Sequence, residues 1–279
     1  MLKSVFWFAL LTCSSLMFAQ DNYEIQVYGS ETVPANSTMF ELHSNWTADG
    51  SHAAAGSRYA EDGTVPTQHA VHETVEITNG WTSWFETVFY IFTSDNPGFG
   101  YQFVGSHIRP RVRAPESWHL PVGLGLSTEI GYVRPRYSAD TWTWEIRPII
   151  DKKIGRTYMA FNPALERSWH GPSVNKGVGF SPNIKVSYDV IRWRHNHRQN
   201  AVSMGVEYYG SCGPVTGFDP VRQQQQQFAP TIDVDVSENW EFNFGVGIGT
   251  TASTDRLIYK AILGRRFDWK RHKTADRVE

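Results

Sequence analysis

The stretch Trp240-Glu241-Phe242-Asn243-Phe244-Gly245-Val246-Gly247-Ile248-Gly249 puts an apolar residue at every even position and a polar residue or glycine at every odd one. A strand points successive side chains to opposite faces, so this segment reads as a strand between one apolar and one polar environment. Working outward, 122–132 repeats the pattern, with Val122, Leu124, Leu126, Ile130 and Tyr132 against Gly123, Gly125, Ser127, Glu129 and Gly131. In 180–190, Phe180, Ile184, Val186, Tyr188 and Val190 oppose Ser181, Asn183, Lys185, Ser187 and Asp189. In 228–237, Ile232, Val234 and Val236 oppose Thr231, Asp233 and Asp235.

Weaker versions fill the rest of the chain, and twelve strands are expected over 38–46, 68–78, 81–93, 101–113, 122–133, 141–150, 156–168, 178–190, 201–209, 226–237, 240–249 and 255–267. Most have the roughly 9–11 residues that a tilted strand needs to cross a bilayer. The second and third alternate less cleanly than the others. Asn79-Gly80 is a tight-hairpin signal. Short connections alternate mostly with longer ones (47–67, 94–100, 134–140, 169–177, 210–225), as they do in outer-membrane barrels. The expected fold is an all-β, antiparallel up-and-down transmembrane β-barrel over 38–269.

The termini and composition agree with export. Residues 1–20 have Lys3 ahead of an apolar run to Phe18 and a small residue, Ala19, as a secretory signal peptide does. A lipidated Cys13 is a rival, disfavoured because Thr12 precedes it and apolar residues continue past it. Residues 21–37 are then expected as a periplasmic N-terminal segment, with 23–28 a further strand or an ordered stretch, and 270–279 as a polar tail. Removing the leader leaves Cys212 as the sole cysteine, which precludes an intrachain disulfide. The net charge of −2 gives no basic footprint for nucleic acid. Aromatic residues make up 14% with eleven Trp, and Trp46, Trp81, Trp84, Trp142, Trp144, Trp240 and Trp269 fall near strand ends, as interfacial belts require.

Five segments share an apolar–x–Pro–x–apolar pattern, centred on Pro110, Pro148, Pro163, Pro182 and Pro230. Proline cannot donate to a ladder, so these are expected to mark bulges or breaks near the rims.

Once the faces are assigned, the inner wall carries Arg109, Arg111, Arg113, Glu129, Glu145, Arg147, Glu166, Lys185, Asp233, Asp235, Glu241 and Lys260, with Glu41, His43, His72, Glu76, His107, Asp189, Glu207 and Arg266. The opposite register would turn Lys185 and Lys260 to lipid at roughly 2–4 kcal/mol each near the midplane. Both signs are interspersed, so the charges either sort solutes along a polar path or pair into a network that fills the interior. Twelve strands lie between side-chain-filled eight-strand barrels and open sixteen-strand pores, so a narrow or gated lumen is expected.

Catalytic and metal constellations are weak. His43 and Ser44 are adjacent and must point to opposite faces of a strand. His170 and Ser173 share a loop with nothing to orient them. His195 and His197 share a face, but no carboxylate or cysteine accompanies them. No catalytic residue, metal or cofactor is expected.

The segment Phe161-Asn-Pro-Ala-Leu165, the glycine-alternating strands and the length together resemble the transporter-like outer-membrane barrels of the MetA-pathway-of-phenol-degradation family. That resemblance covers nearly the whole chain after the leader and implies passage of small, including hydrophobic, molecules through a Gram-negative outer membrane. It carries over no site residue. Barrels of this class commonly end on an aromatic residue read during assembly, for which Phe267 or Trp269 would have to serve ahead of ten polar residues. A narrow channel or transporter is the leading function, with small-molecule solutes, outer-membrane lipids and the barrel-assembly machinery as partners. A structural or adhesive barrel with a charge-plugged lumen and a lipid-modifying enzyme are the alternatives.

Overall fold

The computed structural model describes residues 22–195, 198–237 and 239–269. The leader over 1–20 and the tail over 270–279 lie outside the described residues, as do the side chains of His195 and His197. Twelve antiparallel strands close on themselves: β1 (Ser37–Asp49), β2 (Val71–Gly80), β3 (Phe85–Asn96), β4 (Gly100–Arg113), β5 (Gly123–Val133), β6 (Trp142–Ile154), β7 (Thr157–His170), β8 (Gly179–His195), β9 (Arg198–Ser211), β10 (Gln225–Asp235), β11 (Trp240–Gly249) and β12 (Leu257–Asp268). Each strand pairs with its sequence neighbours, and β1 closes the ring against β12, from Ser37 opposite Asp268 to Asp49 opposite Leu257. No described helix is long and apolar enough to cross a membrane. Closure leaves no sheet edge unpaired, which is what permits strands to cross one.

The barrel is inside-out relative to a soluble domain. Leu42, Phe89, Ile108, Leu126, Ile184, Val206, Phe228, Phe244 and Leu263 are exposed on the outer face, while Glu41, His43, Glu76, Arg109, Lys185, Glu207 and Lys260 are buried inside. Trp46 stacks on Tyr259 at the end where the loops are long, and Trp81 meets Trp269 edge-on at the end where the turns are short. The tryptophans thus form belts at both rims.

Two details depart from the sequence reading. Asn79 and Gly80 are not a turn: they pair as strand residues with Thr38 and Ser37 on one side and Thr87 and Glu86 on the other, and residues 81–84 connect the hairpin. The prolines do not mark bulges. Register shifts fall at Thr47/Asp49, Phe92/Thr93, Trp142/Thr143 and Asp189/Ile191, none of them at a proline. Pro163 lies directly opposite Pro182, and the register between Ile146–Leu165 and Ile150–Phe161 puts Pro148 opposite Pro163. Three prolines therefore sit at one level across β6, β7 and β8. Between β6 and β7 the ladder skips bridges around Pro148 and Pro163 without changing register, because a missing N–H removes a bond without adding a residue.

The larger departure is at the N-terminus. Residues 22–36, expected as a periplasmic segment, run through the interior of the barrel. Asn22 bonds Asp255 in the loop between β11 and β12, while Asn36 bonds Gly80 at the turn end, so the segment spans the lumen from one rim to the other. Its apolar residues explain where the inner wall turns apolar. Tyr23 packs with Val88, Tyr90, Phe92 and Val104, and Ile25 and Val27 pack with Ala160, Tyr209, Ala229 and Ile258. The weak alternation of β3 follows directly, since its inward face meets this segment and not water.

Candidate functional site

The threaded segment is extended, and its backbone polar groups find partners on the wall. Asn45 Nδ2 donates to Asn22 O (2.8 Å), Thr74 Oγ1 to Tyr23 O (2.7 Å), and Lys260 Nζ to Ile25 O (2.9 Å). Asn162 clasps Tyr28 twice, accepting from its N–H at 2.7 Å and donating to its carbonyl at 3.0 Å. Arg111 donates to Glu31 O (2.6 Å), and Glu86 accepts from Val33 N (2.6 Å). An extended strand buried without ladder partners must be satisfied by side chains, and this inner wall supplies them. At the loop end the Asp255 carboxylate accepts from Asn22, Thr67 and the Ser51 backbone. Burial raises it above the ordinary aspartate range against those three hydrogen bonds.

The charges of the wall divide into local networks. Arg109 bonds Glu24 of the threaded segment (2.9 Å) and Glu76 of β2 (3.2 Å). Its guanidinium also lies 4.0 Å from the centroid of the Tyr28 ring, with Arg147 at 5.3 Å and Arg111 at 5.9 Å from the same ring. Arg111 pairs with Glu86 (2.7 Å), His107 with Glu129 (2.5 Å) and Arg147 with Glu145 (2.7 Å). On the far wall Lys185 bridges Glu207 (3.0 Å) and Asp233 (2.8 Å), and Lys260 meets Glu207 at 2.5 Å. Buried charges need this pairing.

Among the described residues, two cavities bear on the lumen. The larger, about 700 Å³, lies toward the turn end and is lined by Arg109, Arg111, Arg113, Lys185, Asp233, Asp235 and Glu241, among others. Strands β4 and β10 are six apart in a ring of twelve, so Arg109, Arg111 and Arg113 occupy the wall opposite Asp233 and Asp235. A smaller cavity of about 110 Å³ is lined by Glu129, Glu145, Arg147 and Glu166 with His107. Glu129, Glu145 and Glu166 are cross-strand neighbours on β5, β6 and β7. Gln26 of the threaded segment borders both cavities, so the segment divides the lumen. Lys260 borders neither; it is buried between Glu207, Tyr209 and the Ile25 carbonyl.

Sequence reasoning did not identify Glu24, Tyr28, Asn162 and Glu86 as members of the site. The available signal was the alternation of Tyr23, Ile25 and Val27 with Glu24 and Gln26 just ahead of the first strand. The pairs weighed for catalysis do not assemble. His43 is buried in the lumen while Ser44 lies on the other face of β1. His170 bonds Thr141 (2.7 Å), and Ser173 is held through its backbone N–H by Asp140 (2.9 Å).

No protein-family profile and no curated protein sequence matches the chain. Among solved structures it is similar to an outer-membrane channel from Pseudomonas putida F1, with a TM-score of 0.54 at 10% identity over 88% of this chain and 100% of that one. It is also similar to the KdgM porin, solved with disordered oligogalacturonate (TM-score 0.44, 9% identity, 84% and 99% covered). A bacterial polysaccharide outer-membrane secretin aligns at a TM-score of 0.42 with 10% identity, over 84% and 100%. At 10% identity the likeness to the Pseudomonas channel speaks for the fold alone: a closed outer-membrane-type barrel.

Proposed function

We propose that the chain is a narrow outer-membrane channel or transporter for small polar molecules whose lumen is restricted by its own N-terminal segment. The observation that carries this reading is the cavity of about 700 Å³, bounded by an arginine ladder on β4 and by Asp233 and Asp235 on the wall opposite. It reaches the turn-end rim at Lys152, Lys153, Ser237 and Asn239. Opposed charge ladders orient dipolar solutes and slow ions of either sign, as charged rings do in selective pores. Toward the loop end the lumen narrows against residues 22–28.

The exposed apolar outer face would contact membrane lipid, and Phe267, exposed near the end of β12, would serve as the aromatic read by the assembly machinery. Kinship with the phenol-degradation barrels belongs to the same reading: Phe161 and Leu165 of the shared segment face outward on β7, flanking the proline row. The test is single-channel current in planar bilayers. Discrete current steps whose ion selectivity shifts toward cations in Arg113→Glu support a channel. Absence of ion or solute flux favours a structural barrel with a plugged lumen.

A further inference from the structure

Glu41 and Glu76 face each other across β1 and β2, and His43 lies two residues along β1 on the same inner face. One donor atom from each falls within 4.8 Å of the other two, and all three residues are buried. The Glu76 carboxylate is oriented: its Oε1 accepts from Thr78 Oγ1 (3.1 Å) and from Arg109 (3.2 Å). Its Oε2 has no hydrogen-bond donor and points to within 3.2 Å of His43 Nε2. Among the described residues neither that nitrogen nor Nδ1 of the same fully buried ring has a hydrogen bond of good geometry. The His43–Glu76 contact is an ion pair only with a protonated imidazole; where Nε2 presents its lone pair instead, a cation held between it, Glu76 Oε2 and Glu41 satisfies all three donors.

We infer that Glu41, His43 and Glu76 form a binding site for a divalent first-row transition metal ion in the wall of the lumen. One imidazole and two carboxylates are the mixed donor set that suits such ions. Thr78 and Arg109 do what outer-shell partners do in metal sites, fixing one carboxylate oxygen so that the other is presented. Charge agrees. Glu241 contacts Glu41 from β11, across Gly264 of β12, whose missing side chain leaves the space between them. Three carboxylates therefore face Arg109, which is shared with Glu24, and Arg266, which pairs with Asp268 closer to the turns. Glu41, Glu76 and Glu241 all border the larger cavity, which supplies the entry path. No spacing in the sequence reveals this site, because Glu41 and Glu76 are brought together by strand pairing over a long loop. The site stands independently of conduction.

The experiment uses the refolded full chain in detergent, stripped with chelator and titrated with Co2+, then with Zn2+ in competition. One equivalent of Co2+ with visible d–d absorption, displaced by Zn2+, is expected. His43→Leu and Glu76→Gln should each weaken binding on the order of tenfold or more. The double variant His195→Gln/His197→Gln should leave it unchanged. X-ray absorption of the Zn2+-loaded wild-type chain should show a single imidazole with oxygen donors, which reads the site even if a variant fails to fold. Absence of stoichiometric Co2+ binding, more than one imidazole per Zn2+, or binding undiminished in both His43→Leu and Glu76→Gln would overturn the assignment.

Discussion

The Arg109 guanidinium lies 4.0 Å from the Tyr28 ring centroid while its two terminal nitrogens hold Glu24 and Glu76, so one side chain ties the threaded segment to the wall. It is 2% exposed, and both carboxylates are nearly as buried. Removing one partner of a buried pair costs about 3–5 kcal/mol, because the remaining charges are left uncompensated. Arg113 pairs with Glu116, which is 87% exposed, and such pairs contribute about 0–1 kcal/mol. Arg109→Gln should therefore destabilise the barrel far more than Arg113→Gln. Urea unfolding followed by heat-modifiable gel migration checks this; equal losses would show that the buried network is not what holds the segment.

Tyr28 separates the contribution of its ring from that of its hydroxyl. The ring faces three arginines, but among the described residues the buried hydroxyl oxygen has no hydrogen-bond partner. Tyr28→Phe keeps the cation–π face and removes an unsatisfied group, so stability should stay level or rise. Tyr28→Ala removes the face, a loss of about 2 kcal/mol for a desolvated contact. It should also increase proteolytic nicking near Gly29. The reverse order of the two variants would sink this account.

Leu126 tests the outer face. It is exposed midway along β5, between the inward-pointing Gly125 and Ser127. Leu126→Arg should cost about 2–4 kcal/mol in a bilayer, as a cation near the midplane does. The same variant in detergent should lose less, since micelles accommodate the side chain. Comparing unfolding in liposomes with unfolding in detergent reads the difference.

How much of this the sequence disclosed depended on whether the cause was local. Strands such as β11 were legible to the residue, because alternation follows from one strand between two solvents. Inward placement of Lys185 and Lys260 followed from the same periodicity and the cost of the alternative. The role of residues 22–36 was not legible: an extended segment held by Asn45, Asn162, Lys260 and Arg111 has the same local pattern as a free one. Its trace was the lapse in alternation at Val88, Tyr90 and Phe92, which could be interpreted only once Tyr23 was seen packed on them. Gly80 misled for a related reason. A glycine after asparagine signals a turn, yet here the requirement comes from another part of the chain.

That requirement is steric. A Cβ at Gly80 would lie 2.3 Å from the Pro34 carbonyl oxygen and 2.4 Å from that of Val33, both backbone atoms. Gly80→Ala should therefore displace the exit of the threaded segment and leave the β1–β2 pairing intact, at about 1–3 kcal/mol for an overpacked site. Limited proteolysis should show faster cutting at 31–36 with unchanged barrel migration. Resistance to cutting equal to wild type would mean that the segment is not pressed against β2 there.

Deleting residues 22–34 tests the restriction itself. The segment borders both cavities and carries two carboxylates, Glu24 and Glu31, into the lumen. Without it the lumen joins into one water-filled path, and Lys260, Asn162, Arg109 and Arg111 exchange their bonds to the segment for bonds to water. Single-channel conductance should rise severalfold over the full-length protein. Selectivity should move toward anions, because Arg109 loses Glu24 while the opposite wall keeps Lys185 bound to Asp233. The segment supplied as a synthetic peptide from the turn side should block the enlarged current reversibly. A conductance equal to that of the full chain would instead assign the constriction to the wall networks around Lys185, Glu207 and Lys260, and the threaded segment would then be a brace of the barrel and not its gate.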